Sequence, residues 1–109
     1  MCKTQESAIR DFKVDKYTFA VFEMVANERC LQDKKWGIQN HPYEKWVGIL
    51  GEEYGEYCQA VNETIFDNGL EARAKGGRMN MIAELVQVAA VAFAAVECMI
   101  REAEAEGRE

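Results

Sequence analysis

The chain has 109 residues, a formal net charge of −6 and a hydrophobic content of 49 %. That length suffices for one domain but gives only a thin independent core. The acidic balance argues against free DNA or RNA as a partner, because phosphate binding requires a basic patch. The N-terminus shows no apolar signal segment, and the apolar run Leu85–Val96 is shorter than the roughly 20 residues that span a membrane. We therefore expect a cytoplasmic protein that associates with no membrane and forms no stable complex with nucleic acid.

Hydrophobic periodicity predicts an all-α fold, since no alternating run typical of a strand is present. The first helix is predicted from about Lys16 to about Lys34, with Asp15 as its N-cap. Residues 35–41 are predicted to form a loop, because Gly37 interrupts the helical pattern.

The second helix is predicted to begin at Pro42, a residue that suits the first helical position, and to reach about Phe66. The segment Asp67-Asn68-Gly69 then provides good turn chemistry. A short helical turn is expected at 70–75, and the fold is expected to be a helical bundle of the four-helix type.

The last helix is predicted from about Met79 to about Ala105, and it is apolar on nearly every face between Leu85 and Val96. A helix that is hydrophobic all round is buried all round, and one short chain cannot enclose it. We therefore expect a homo-oligomer, either a dimer or a tetramer, whose core is completed by the partner subunit. The domain should span 1–109, with 1–14 and 106–109 loosely ordered.

Acidic residues recur at helical spacing in the second and last helices. Glu53 and Glu56 lie about 60° apart on the face that carries the apolar residues, whereas Glu52 points toward the wetter side. Glu84 and Gln87 share one face of the last helix. If the two helices face each other, their carboxylates supply the oxygen ligands that Mg²⁺ prefers.

The alternative for Glu84 is an ion pair with one of three arginines, Arg29, Arg73 or Arg78. For Glu53, Glu56 and Glu84 together, a shared cation is the more economical explanation, because three arginines would otherwise have to reach the core. Gln87 is either a weak ligand or a hydrogen-bonding core amide.

The ordered set of motifs resembles the all-α nucleoside triphosphate pyrophosphohydrolases, the MazG-like and dCTP pyrophosphatase group. The pattern is E-x-x-E at 53–56 followed by Glu84-x-x-Gln87, where the family has Asp at the last position. The text LGEEYGEYCQA resembles a segment of that family, and AELVQVAAVAFAAVE is similar to the ending of its small bacterial and phage members. The stretch that precedes the first acid pair is similar as well, through Glu28-Arg29, Trp36, Gln39, His41 and Pro42. The resemblance covers about residues 17–100.

This resemblance implies a MazG-like bundle that hydrolyses nucleoside triphosphates, including deoxynucleotides, to the monophosphate and pyrophosphate. It implies Mg²⁺, with Mn²⁺ as a substitute, held by Glu53, Glu56, Glu84 and Gln87, with Glu52, Glu53 or Glu56 accepting the proton of the attacking water. The role would be removal of unwanted nucleotides.

Candidate substrate-binding residues are the aromatic and polar side chains Trp36, His41, Lys34, Arg78 and Asn80. Trp36 could stack on a base and His41 could hydrogen-bond its edge, although His41 could equally cap the second helix. Trp46 could join Trp36 and His41 in this base pocket, but it lies near the apolar face, and the core is the favoured assignment.

Two other functions compete with the enzyme. A catalytically silent nucleotide- or protein-binding module would retain the bundle, with Gln87 marking a degenerate metal site. A di-iron carboxylate bundle is the weaker alternative, because it requires E-x-x-H pairs and the single histidine, His41, lies in a predicted loop.

Overall fold

A computed structural model describes residues 15–66 and 77–107, and this part of the chain is all-α, as predicted. It contains three helices: α1 (Lys16–Trp36), α2 (Tyr43–Phe66) and α3 (Gly77–Ala105). Three helices, rather than the four expected for the bundle, are therefore found in the described residues. The short turn predicted at 70–75 lies outside them, as do segments 1–14 and 108–109.

Helix α1 begins where its N-cap was predicted and ends slightly later. The side chain of Asp15 accepts a hydrogen bond from the Thr18 backbone N–H at 2.8 Å, which lowers the pKa of Asp15. Lys35 and Trp36, assigned to the loop, belong to the last helical turn. The helix stops at Gly37, whose positive φ of 75° favours glycine and whose N–H donates to the carbonyl of Asp33.

The starts of the two other helices differ from the prediction by one and two residues. Helix α2 begins at Tyr43 rather than Pro42, and the Pro42 carbonyl accepts from the Lys45 N–H at 3.0 Å. Helix α3 begins at Gly77 instead of Met79, and the φ of 62° at Gly77 is one that other residues rarely adopt.

Helix α3 is the centre of the packing. It contacts both α1 and α2, whereas the backbones of α1 and α2 do not approach each other closely. The main core cluster joins Trp46 of α2 to Val91 and Cys98 of α3, with Ile49, Ala94 and Ala95 against it. Trp46 is only 4 % exposed, which confirms its assignment to the core.

The opposite side of α3 is not covered by the parts of the chain that the structure describes. Leu85, Phe93, Val96 and Ile100 are between 46 % and 55 % exposed, and they share one helical face that carries no charged residue between Ile82 and Ala103. Residues 15–66 and 77–107 therefore do not bury α3 on all sides, as the sequence predicts.

A stripe of three glycines on α2 is also open. A Cβ atom added at Gly48, Gly51 or Gly55 would meet no other atom within 4 Å. The close approach expected over these glycines is thus not made by any described part of the same chain.

By length and composition alone, α3 could cross a membrane, with a mean hydropathy of 1.8 over its most apolar stretch, of which 17 % is buried. The core helix of a soluble protein meets the same criteria, so this single helix is weak evidence for a membrane location.

We predict that Trp46→Ala destabilises the fold by about 3–5 kcal/mol, because it removes the largest side chain of the core cluster. Trp46→Phe should cost less, since it also removes an indole N–H that is buried without a hydrogen-bond partner. Urea denaturation followed by circular dichroism measures both changes. Trp36→Ala is the matched control, because Trp36 is 63 % exposed, and a loss as large as that of Trp46→Ala would contradict the core assignment.

Candidate metal and nucleotide site

Three carboxylates converge between α2 and α3. One oxygen each of Glu53, Glu56 and Glu84 lie within 4.8 Å of one another. Glu53 and Glu56 are on the same face of α2 because they are three residues apart, and Glu84 meets them because α3 packs along α2. The carboxylates that the sequence predicts to converge are therefore together in a single chain.

The close approach of like charges changes the titration of this cluster. The pKa of Glu53 is raised by its burial, by the charges of Glu56 and Glu84, and more weakly by Glu28 of α1. Burial and the neighbouring Glu56 raise the pKa of Glu84. Each ionised form is thus disfavoured by lost hydration and by its acidic neighbours.

The cluster has the donor set of a divalent cation site. Oε2 of Glu53 and Oε2 of Glu84 are buried without a hydrogen-bond partner, which leaves polar atoms oriented into the protein with nothing to satisfy them. Carboxylate oxygens are the ligands that Mg²⁺ and Mn²⁺ prefer, and a dication would also cancel the mutual repulsion. Glu53, Glu56 and Glu84 therefore fit such an ion.

The ion pairs proposed as the alternative for Glu84 are not formed by the arginines in the described residues. Arg29 instead donates from Nη2 to Oε1 of Glu97 at 2.7 Å, and it lies 3.1 Å from the carboxylate of Asp33. Arg78 is exposed and makes no ion pair there. The third candidate, Arg73, lies outside the described ranges.

An open cleft of about 740 Å³ adjoins the cluster, and Glu53 belongs to its lining. Its lining comes from α1, the α1–α2 connection (residues 37–42), α2 and α3. Trp36 and His41, two of the predicted substrate-binding residues, line this cleft. The volume is within the range of small-molecule sites.

His41 lies directly before Pro42 at the start of α2, and its ring contacts two side chains of the cleft lining. Its Nε2 lies 3.0 Å from Oε1 of Gln39, and its ring meets Trp46 edge to face with the centroids 5.0 Å apart. Trp36 is exposed, and Nζ of Lys35 lies 4.8 Å from its ring centroid in a cation–π contact.

None of the remaining predicted site residues lines the cleft or is one of the three clustered glutamates. Glu52 is exposed, as its helical position predicts, and Gln87 is half-buried on α3. Lys34 and Arg78 are exposed, and Asn80 is half-buried one turn before Glu84.

Sequence reasoning missed the cations that do line the cleft, which are Arg29, Lys45 and Arg101. Arg29 is neutralised by Glu97 and Asp33, whereas Arg101 is bound by uncharged groups of the connection. The spacing within one helix carries no signal for these residues, because the cleft brings them together from three different helices.

Comparisons with known proteins add no relative. No protein-family model matches the chain, and no curated protein and no solved structure matches it significantly. The site is therefore interpreted from its own geometry and chemistry.

We predict that Glu84→Gln raises the thermal stability of the metal-free protein near neutral pH. The pKa of Glu84 is higher in the folded chain than its ordinary value of 4.5, so ionisation above that value destabilises the folded state. The advantage of the variant should therefore disappear below about pH 3, where the wild-type carboxyl is protonated in both states. Melting curves in EDTA at both pH values measure this difference.

Glu63→Gln is the matched control, because Glu63 lies on α2 outside the cluster and its Oε1 accepts from Gln59. Added Mg²⁺ should raise the melting temperature of the wild type and of this control, but not of Glu84→Gln. A variant less stable than the wild type in EDTA at neutral pH would show that the carboxylates do not repel one another.

Proposed function

We propose that this protein hydrolyses nucleoside triphosphates, including deoxynucleotides, to the monophosphate and pyrophosphate in a Mg²⁺-dependent reaction. The observation that carries the proposal is the convergence of Glu53, Glu56 and Glu84 beside a cleft of nucleotide-compatible size. The ordered sequence motifs that resemble the MazG-like pyrophosphohydrolases support the same activity. Removal of unwanted nucleotides is the corresponding role.

Glu53, Glu56 and Glu84 would hold the cation, with the half-buried amide of Gln87 as an additional oxygen donor from α3. When bound, Mg²⁺ neutralises phosphate charge and lowers the pKa of water. The attacking water adds to the α-phosphorus, and the bond from that phosphorus to the oxygen bridging the α and β phosphates breaks. We assign proton acceptance to Glu56, because it is the exposed member of the cluster and solvent reaches it most readily.

The cleft would receive the nucleoside. Trp36 offers an aromatic face for stacking, as every base has a π face. If Nε2 of His41 donates to Oε1 of Gln39, its Nδ1 is left as an acceptor toward the ligand. Glu53 belongs to both the cleft and the cluster, so a nucleotide in the cleft would reach the cation with its phosphates.

We predict that Glu53→Gln and Glu56→Gln each lower Mg²⁺-dependent hydrolysis by at least about 100-fold, because each amide removes a charged ligand. Pyrophosphate release from a panel of nucleoside triphosphates, with and without Mg²⁺, measures the effect. Glu63→Gln should keep the wild-type rate, and the helical circular dichroism signal should be the same in all four proteins. Wild-type rates in the Glu53 and Glu56 variants would falsify the site assignment.

A catalytically silent nucleotide- or protein-binding module is the second candidate, and Gln87 is the observation that favours it. The residue stands where the resembled family has Asp, so one charged ligand is missing. Nucleotide binding without turnover by the wild type would support this candidate. Recovery of turnover in Gln87→Asp would then identify the missing charge as the cause.

We also propose that the protein functions as a homo-oligomer. The uncovered face of α3 is apolar and alanine-rich, and the glycine stripe of α2 is open. A second copy is the occupant that both surfaces favour, because an uncharged face can pack against itself without leaving charges unpaired.

We predict that Phe93→Glu shifts the protein toward the monomer, because Phe93 is 50 % exposed at the middle of the uncovered α3 face. Light scattering coupled to size-exclusion chromatography measures the mass. Asn27→Glu adds the same charge at an exposed polar position of α1 and should leave the mass unchanged. A wild-type protein that is monomeric at micromolar concentration, or that partitions into lipid vesicles, would contradict the assembly.

A further inference from the structure

The α1–α2 connection is held on α3 by one arginine. Arg101 donates from Nε and Nη2 to Oδ1 of Asn40, at 3.1 and 2.9 Å, and from Nη2 to the backbone carbonyl of Gln39 at 3.1 Å. Both acceptors are uncharged, so these contacts leave the positive charge of Arg101 without a compensating carboxylate. The guanidinium therefore binds the connection through hydrogen bonds to uncharged acceptors rather than through an ion pair.

These acceptors flank the histidine of the cleft. The side chain of Gln39 meets His41 Nε2 at 3.0 Å, and Asn40 directly precedes His41 in the chain. A third contact comes from the same stretch of α3, where the Cys98 thiol donates to the His41 carbonyl at 3.7 Å. The last turns of α3 thus fix the backbone of the connection on both sides of His41.

We propose that Arg101 is a positioning residue for the nucleotide: it holds the α1–α2 connection so that His41 keeps its place in the cleft. The inference rests on the proposed function. Arg101 acts through Asn40 and the Gln39 carbonyl, and it lies far from the carboxylate cluster. Seventeen residues separate it from Glu84 on α3, which is about 25 Å along the helix axis.

Because Arg101 is far from the carboxylates, its substitution should affect KM rather than kcat. Loosening the connection weakens nucleotide binding, whereas the carboxylates that act on the phosphates keep their arrangement between α2 and α3. Arg101→Gln should therefore raise KM about tenfold and change kcat by less than about twofold. Arg101→Lys keeps one donor and the charge, so its KM should lie between that of the wild type and that of Arg101→Gln.

Asn40→Ala removes the side-chain acceptor of the same contact. It should raise KM by no more than Arg101→Gln does, because the bond from Arg101 to the Gln39 carbonyl remains. The double variant should be no worse than Arg101→Gln alone, because that substitution already removes the contact with Asn40. Lys16→Gln, which removes a positive charge at an exposed position of α1, is the control and should keep the wild-type KM.

Amide hydrogen exchange of peptides covering 37–42 gives a readout that needs no nucleotide. Exchange there should rise in Arg101→Gln and in Asn40→Ala, with peptides of the cluster around 53–56 and 84–87 unchanged. An unchanged KM in Arg101→Gln, or KM effects of the two single variants that multiply in the double variant, would overturn the inference. Absence of turnover and of nucleotide binding in the wild type would instead overturn the proposed function, and the exchange data would still decide whether Arg101 holds the connection.

Discussion

The convergence of three carboxylates from two helices is the constraint on which the site depends. Their mutual repulsion opposes the packing of α2 on α3, and two of their oxygens are buried without partners. The apolar contacts of Trp46 with Val91 and Cys98 fix the same helix pair, so the core holds the acids together against their repulsion. A cation bound there would convert an unfavourable interaction into a favourable one, which links metal binding to stability.

The cleft has two chemically different ends. Glu53 lies at the acidic end, and Lys45 lies eight residues earlier on α2, about 12 Å along the axis. The connection and Arg101 lie at the other end, where Glu97 is paired with Arg29. A ligand that carries phosphates on one side and a base on the other matches this polarity, because only the phosphates require a metal. The opposite orientation would place the phosphates far from every carboxylate of the cluster.

Much of the fold could be predicted from the sequence because its signals are local. Asp15 at the start of α1 and Gly37 at its end act on the adjacent backbone, and Glu53 and Glu56 share a face through helical period alone. The contact of Arg29 with Glu97 depends instead on how α1 crosses α3. No spacing within one helix encodes that crossing, so the sequence could not exclude a pair between Arg29 and Glu84.

The carboxylate cluster also distinguishes between lipid and protein as the partner that would cover the exposed face of α3. A lipid bilayer could cover Phe93 and Val96, but a spanning α3 would carry Glu84 and its α2 neighbours toward the hydrocarbon. Three carboxylates there would each be costly, even when protonated or bound to a cation. A second protein chain would cover the apolar face of α3 and would leave Glu56 open to water and to the proposed substrate. The carboxylate cluster therefore favours a protein partner over lipid at the apolar face of α3. The glutamates of the site thus also limit the environment in which this face can be buried.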